Sequence, residues 1–301
     1  NDILEKLPEN FVMIDIEMTA EPLLADAHKA PYILVALQEC GRMNVLLNRI
    51  RMSLIELRKG LDGQLNMSEP MEDLKDALSI NQVPGRNPFH KTSWEKAAWP
   101  SKKLLASWFL ELLRRVEQLE RWSAELVQPL SLWLPGLFNP MAFLTAIMQA
   151  TSRQTGEPLD KMVIETNVSI YLKPEQVTAS PEMGAYVHGF FIEGARWATG
   201  DEAEEPTEVC GVKCQGHLAD SKLKELLPSL PVLYLRAVVV QPQWEPTSVG
   251  YLRHNPKIYD CPVYFNTFRG PTYIFNATLA TNDPVHKWIW AGVGLMLQED
   301  T

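Results

Sequence analysis

Residues 184–197 read GAYVHGFFIEGARW, and the parsing of this run decides what the second half of the chain becomes. Taken as one extended strand, it places Tyr186, His188, Phe190 and Ile192 on one face and Val187, Gly189, Phe191 and Glu193 on the other. Both faces would then be largely covered. Gly184, Gly189 and Gly194 weaken a plain strand and instead mark bulges, bends or the close approach of another backbone. The run is expected to form a central strand of a small curved sheet.

Outward from it, the hydrophobic period after about residue 160 is two. Met162–Leu172, Ala185–Trp197, Val232–Val240, Ile258–Phe265, Thr272–Ala280 and Ile289–Gln298 all read as strands. Arg269-Gly270-Pro271 suits a hairpin turn between two of them. Long helices are missing between most of these runs, which favours antiparallel pairing over a parallel nucleotide-binding sheet. Residues 159–301 are therefore expected to form an antiparallel β-barrel of about six strands, with an acidic surface insertion at 198–221.

Towards the N-terminus the period changes to three and four. Ala36, Cys40, Met43, Leu47, Ile50, Leu54, Leu57 and Leu61 form a heptad stripe, and Gly60 and Gly63 supply a stop. A helix over about 32–60 follows, roughly 42 Å long at 1.5 Å per residue. Leu105, Phe109, Leu112, Val116 and Leu119 mark a second long helix with Ser101 as its cap candidate. A shorter helix is expected after Ser68, and a fourth from Asn139-Pro140 to Gly156. Residues 1–158 thus read as a helical bundle, and the whole chain as α+β.

Composition narrows the function classes. The 301 residues, 46% hydrophobic, suffice for a real core. A formal net charge of -9 argues against a nucleic-acid binder, whose affinity rests on clustered Lys and Arg. No window approaches the roughly 18 apolar residues needed to span a bilayer, so no membrane role is expected. Cys40, Cys210, Cys214 and Cys261 are too few for a disulfide scaffold, which fits a reducing, intracellular setting.

The sequence carries few motifs with a chemical mechanism. No G-x-x-x-x-G-K-[ST] loop and no H-E-x-x-H occur, and Gly292 and Gly294 form only a lone G-x-G. Cys210, Cys214 and His217 have metal-like spacing without an evident fourth ligand. Glu193 and Arg196 suit an ion pair, and a hydrolase reading on His188 and Glu193 lacks a nucleophile at a matching spacing. The sequons at Asn66, Asn167 and Asn276 read as chance matches. Expected catalytic, cofactor and metal residues are therefore none. Arg42, Arg49, Arg51, Arg58 and Lys59 stand out against the acidic background as a solvated helix face or a docking surface for an acidic partner.

Together these segments resemble the C-terminal domain of dynein heavy chains, of the axonemal type. The resemblance rests on PYILVALQECGRMNVLLNRIRMSLIELRKGLDG (31–63), SWEKAAWPS (93–101), LFNPMAFLTAIMQ (137–149) and GAYVHGFFIEGARW itself. It continues through LPVLYLRAV (230–238), YDCPVY (259–264) and KWIWAGVGLMLQ (287–298). Residues 85–92 and 198–221 depart from the family pattern. The resemblance implies a helical bundle followed by an antiparallel β-barrel, packed on the AAA ring and linker region of the same heavy chain. It further implies a non-catalytic, modulatory role in ATP-driven, minus-end-directed motility, with ATP and Mg bound elsewhere in the heavy chain. Microtubules and other dynein subunits would be met through the full motor, in the cytoplasm and cytoskeleton of the cilium or flagellum axoneme. The alternative reading is a protein-binding module that recruits another axonemal subunit.

Overall fold

The computed structural model describes residues 2–85, 94–197, 212–213, 230–247, 250–252, 255, 257–267, 270–281 and 284–297. The helices come first: α1 (Asp2–Lys6), α2 (Met13–Leu23), α3 (Ala30–Leu61), α4 (Glu69–Ser79), α5 (Leu105–Glu125) and α6 (Pro140–Thr155). Helix α3 buries Ile33, Ala36, Cys40, Met43, Leu47, Ile50 and Leu57 of its stripe, and α5, α6 and the shorter α2 and α4 pack against it. Its end is a Schellman turn. Gly63 takes φ +73°, Gln64 N–H donates to Lys59 O at 2.8 Å and Gly63 N–H to Gly60 O at 3.1 Å.

Helix α4 ends the same way with Asn81 at φ 56°, and this residue does a second job. Asn81 O accepts Leu105 N–H at 3.0 Å and Asn81 Oδ1 accepts Ala106 N–H at 3.1 Å, capping the start of α5 from outside. Ser101, the expected cap, instead accepts Lys103 N–H at 3.2 Å, ahead of the helix. Ser68 sits at the N-cap of α4 with its side chain uninvolved in capping. Asn139 caps α6 as its sequence predicts, accepting Ala142 N–H at 3.3 Å, and Gly156 closes it at φ +77°.

The strands are β1 (Leu132–Trp133), β2 (Met162–Val168), β3 (Ala185–His188), β4 (Phe191–Glu193), β5 (Arg196–Trp197), β6 (Val212–Lys213), β7 (Leu233–Val239), β8 (Glu245–Thr247), β9 (Gly250–Leu252), β10 (Ile258–Thr267), β11 (Gly270–Ala280) and β12 (Gly294–Met296), with α7 (Val285–Trp290) before the last. They do not form the expected antiparallel barrel. One four-stranded sheet has the order β1-β3-β7-β2 and another β11-β10-β12-β4, both mixed, because β1 pairs β3 and β12 pairs β10 in parallel. Two short ribbons, β5-β6 and β8-β9, accompany them.

The run at 184–197 explains the correction. It is three strands in three different sheets, parted at Gly189 (φ +97°) and Gly194 (φ +79°). Ala185 and Val187 are buried before the first break, Phe190 and Ile192 after it, so the inward parity switches from odd to even across Gly189. A single strand cannot do this. At Gly184 (φ +85°) a Cβ would lie 2.1 Å from Leu235 O, and at Gly189 one would lie 2.6 Å from Trp133 Cδ1. Both positions therefore require glycine.

Two further features mark where closure is missing. The expected strand 289–298 begins as helix α7 and yields only the short β12. Where β2 and β11, the edges of the two sheets, approach each other, Thr278 Oγ1 accepts Thr166 N–H at 2.7 Å and donates to Thr166 O at 2.7 Å. A hydroxyl stands there in place of a backbone ladder. One contiguous set of buried apolar residues, from Leu7 to Leu297, runs through helices and sheets alike. Of the insertion at 198–221 only Val212–Lys213 is described, antiparallel to β5. Arg269 of the expected hairpin turn lies outside the described residues.

Candidate docking surface

The five basic residues singled out on α3 separate into two faces. At about 100° per residue, Arg42, Arg49 and Lys59 share one arc of the helix, while Arg51 and Arg58 point to roughly the opposite side. Arg51 is partly buried and ties down the N-terminal segment. Its guanidinium donates to Pro8 O at 2.6 Å and to Asn10 Oδ1, and faces Glu9 Oε2 at 3.4 Å. Asn44 holds the same segment by two bonds of 2.8 Å with the backbone of Phe11. Arg58 is exposed and pairs loosely with Asp62 at 4.0 Å. Arg42, Arg49 and Lys59 are exposed along one seam with Leu34, Gln38, Val45, Met52 and Glu56.

Behind that seam lies a buried charged network that composition and motif search do not reveal. Arg115 of α5, fully buried, donates through Nη2 and Nε to Glu111 Oε1 at 2.6 and 3.2 Å, and through Nη1 to Leu137 O at 3.3 Å. Burial brings its guanidinium down to about 10, opposed by Glu111, so it stays charged at neutral pH. Lys103 Nζ stands 3.6 Å from the second Glu111 oxygen, an ion pair beyond hydrogen-bond reach. Glu39 of α3 accepts Phe138 N–H at 2.6 Å and Asn139 N–H at 3.0 Å, and burial raises its carboxyl pKa against those two bonds.

Around Arg115 the rings form a column. Trp94 stacks on Trp108 at 6.1 Å and Trp108 on Trp99 at 5.2 Å, and Arg115 lies 3.9 Å over Trp99. Trp133 comes next, 5.2 Å from Arg115, with Arg114 at 4.4 Å on its ring. Trp94 Nε1 donates to Ser53 Oγ of α3 at 2.9 Å. The stack thus joins α3, the 94–99 segment, α5 and β1 by packing and cation–π contact. One sequence signal points this way. Glu39 lies at seven-residue spacing from buried Leu46, Ser53 and Gly60, a second inward row beside the heptad stripe.

His188 ends β3, and its Nδ1 is 2.9 Å from Ser131 Oγ, just ahead of β1. Burial first, then Arg114, brings its pKa down to about 4, with Glu175 opposing. A neighbouring cation disfavours the imidazolium that proton abstraction from a serine would create, so the pair suits a fixed register bond between β1 and β3. Glu193 is exposed and ends β4, in the other sheet. Arg196 is in β5, which pairs with β6. Cys210, Cys214 and His217 lie outside the described residues. Cys40 and Cys261 are buried thiols, both pushed upward by burial, Cys40 to about 12.

A cleft of about 260 Å³ opens where the start of α3, the turn after α5, α6 and residues 180–184 meet, with Tyr32, Leu126, Ala150, Thr151 and Met183 among its walls. Its volume falls below the roughly 300–1,000 Å³ usual for small-molecule sites. Gln128 Nε2 donates to Gly184 O at 3.1 Å along the same wall.

The family profile for the C-terminal domain of the dynein heavy chain matches residues 1–297. The sequence is 41% identical over 298 residues to "Dynein beta chain, ciliary" of Tripneustes gratilla and to "Dynein axonemal heavy chain 17" of Homo sapiens. It is 42% identical over 297 residues to "Dynein beta chain, flagellar outer arm" of Chlamydomonas reinhardtii. In each case 99% of this chain is covered but only 6% of the relative's length. Residues from ALQE (Glu39), SWEKAAWPS (Trp94, Trp99) and LFNPMAF (Leu137–Asn139) converge on the buried network just described. With the match running through the helices and both sheets, this chain belongs to the family of C-terminal domains of dynein heavy chains.

Proposed function

We propose that this domain is a non-catalytic brace of an axonemal dynein heavy chain, packing on the AAA ring and linker region of the same polypeptide. In that position it modulates ATP-driven, minus-end-directed movement on microtubules in cilia and flagella. ATP and Mg belong to the ring, and microtubules and other dynein subunits meet the assembled motor. The observation that carries this reading is the division of charge on α3. Glu39 is turned inward to hold the start of α6, whereas Arg42, Arg49 and Lys59 face outward over a solvent-exposed length of helix. Such a division suits packing against a surface rather than chemistry in a pocket. The relatives' names, ciliary and flagellar outer arm, support an axonemal setting.

The test compares the full motor with one lacking this domain. Loss of the domain is expected to change ring stability, ATPase rate and microtubule gliding velocity. All three remaining at wild-type values would overturn the reading.

A further inference from the structure

The outward seam of α3 has a pattern of its own. Leu34, Gln38, Arg42, Val45, Arg49, Met52, Glu56 and Lys59 are spaced four, four, three, four, three, four and three apart, and every one is exposed. Over those seven turns they stay within about 100° of arc, along roughly 38 Å of helix. The inner stripe of the same helix has the same period and is filled by α5 and α6. A heptad period on the surface is what a second helix laid along α3 would read, because such a seam stays aligned with a partner of the same period.

The chemistry of the side groups then narrows the partner. Val45 and Met52, both 56% exposed, and Leu34, 44% exposed, are large apolar groups facing solvent. Between and beyond them stand Arg42, Arg49 and Lys59 against the single acid Glu56, so the seam is locally basic in a protein of net charge -9. Arg42 and Arg49 are one heptad apart with Val45 between them. A partner that buries Val45 and Met52 must present apolar side chains to them and acidic ones, seven residues apart, to the two arginines.

We infer that the outer seam of α3 docks an acidic amphipathic helix located elsewhere in the same heavy chain. This rests on the ring-packing reading above and names the chemistry of one contact within it. The chain spans 6% of its relatives' length, and in a heavy chain of their size the remainder would be covalently tethered to it and present at high effective concentration.

The experiment uses the full-length motor carrying the photo-crosslinking residue p-benzoylphenylalanine at Val45, at Met52 or, on the distant helix α7, at Trp290, which is 81% exposed. Crosslinks from Val45 and Met52 are expected on one helix of the same heavy chain with Asp or Glu at heptad spacing. Arg42→Glu with Arg49→Glu should lower their yield at least tenfold, and reversing the partner's acids to Lys should restore it. Because all four seam positions are exposed, an unchanged thermal midpoint verifies the fold of each variant. Crosslinks from Trp290 but none from the seam overturn the seam contact and leave ring packing standing. An absence of crosslinks from all three positions overturns both. Seam crosslinks to a separate subunit, or to a segment without the acidic heptad pattern, overturn the assignment.

Discussion

Helix α3 and residues 184–197 both carry glycine among apolar residues, yet α3 runs from Ala30 to Leu61 unbroken and the other run breaks twice. Gly41, inside α3, has nothing within 4 Å of the place where a Cβ would sit. At Gly184, Gly189 and Gly194 the backbone is left-handed and neighbouring atoms lie within 2.1–2.8 Å of that place. Gly41 is a passenger in its helix, whereas these three glycines are corners. What separates Gly41 from them is its helical backbone together with the open space beside it, since Gly60, also helical in α3, would meet Met67 Sδ at 2.7 Å.

Substitution at the corner should have the largest effect. Gly184→Ala places a methyl group on Leu235 O in a left-handed conformation and is expected to cost about 3–5 kcal/mol, read as a lower urea midpoint. A loss below about 1 kcal/mol would make the corner no different from the helix. Next comes the seam between the sheets. Thr278→Val keeps the shape but removes the hydroxyl that serves both the Thr166 N–H and C=O, at about 2–3 kcal/mol. Equal stability of this variant would show that water or backbone shift replaces the hydroxyl.

His188 sharpens the comparison through pH. Its folded pKa, about 4, is below the ordinary 6.5, so between these values the unfolded protein binds a proton that the native one refuses. Stability associated with His188 is complete above pH 6.5, declines as pH falls towards 4, and is level below that. The drop is on the order of 2–3 kcal/mol, allowing for partial solvent access. His188→Gln should flatten that window when unfolding midpoints are compared across pH 4–7, whereas parallel curves for the two proteins would count against the assignment. Smallest, and opposite in sign, is Gly41→Ala, expected to stabilise by about 0.5–1 kcal/mol because a helical glycine costs backbone entropy and here has open space. Destabilisation there would mean that the α3 surface is more crowded than the structure shows.

Legibility in the sequence follows the same division. The start and stop of α6, the stop of α3 and the hairpin strands β10 and β11 are local matters, settled by Asn139, Gly156, Gly63 and alternating side chains. The cap of α5 is illegible because Asn81 supplies it from the end of another helix. Strand β1 has two residues and pairs with β3 more than fifty positions later, so no periodicity announces it. The barrel expectation fails at Gly189, although a trace is present: apolar Ala185 and Val187 give way to Phe190 and Ile192, a change of parity that a single-strand reading takes for two covered faces. For the candidate surface, helical spacing divides the basic residues of α3 into two faces, but only the fold shows that Arg51 is spent on the N-terminal segment while Arg42, Arg49 and Lys59 stay exposed. The Arg115 column escapes sequence reading because its members come from distant segments and meet only in three dimensions.

The hydroxyl of Thr278 has a kinetic consequence. It joins residues 112 positions apart, and a contact closing so long a loop is costly to form before its surroundings are in place. The β2–β11 meeting is therefore expected to be absent from the folding transition state, with refolding of Thr278→Val near the wild-type rate and the lost stability falling almost entirely on faster unfolding. On this view a single side chain governs how long the two sheets stay together, while having little say in how quickly they meet.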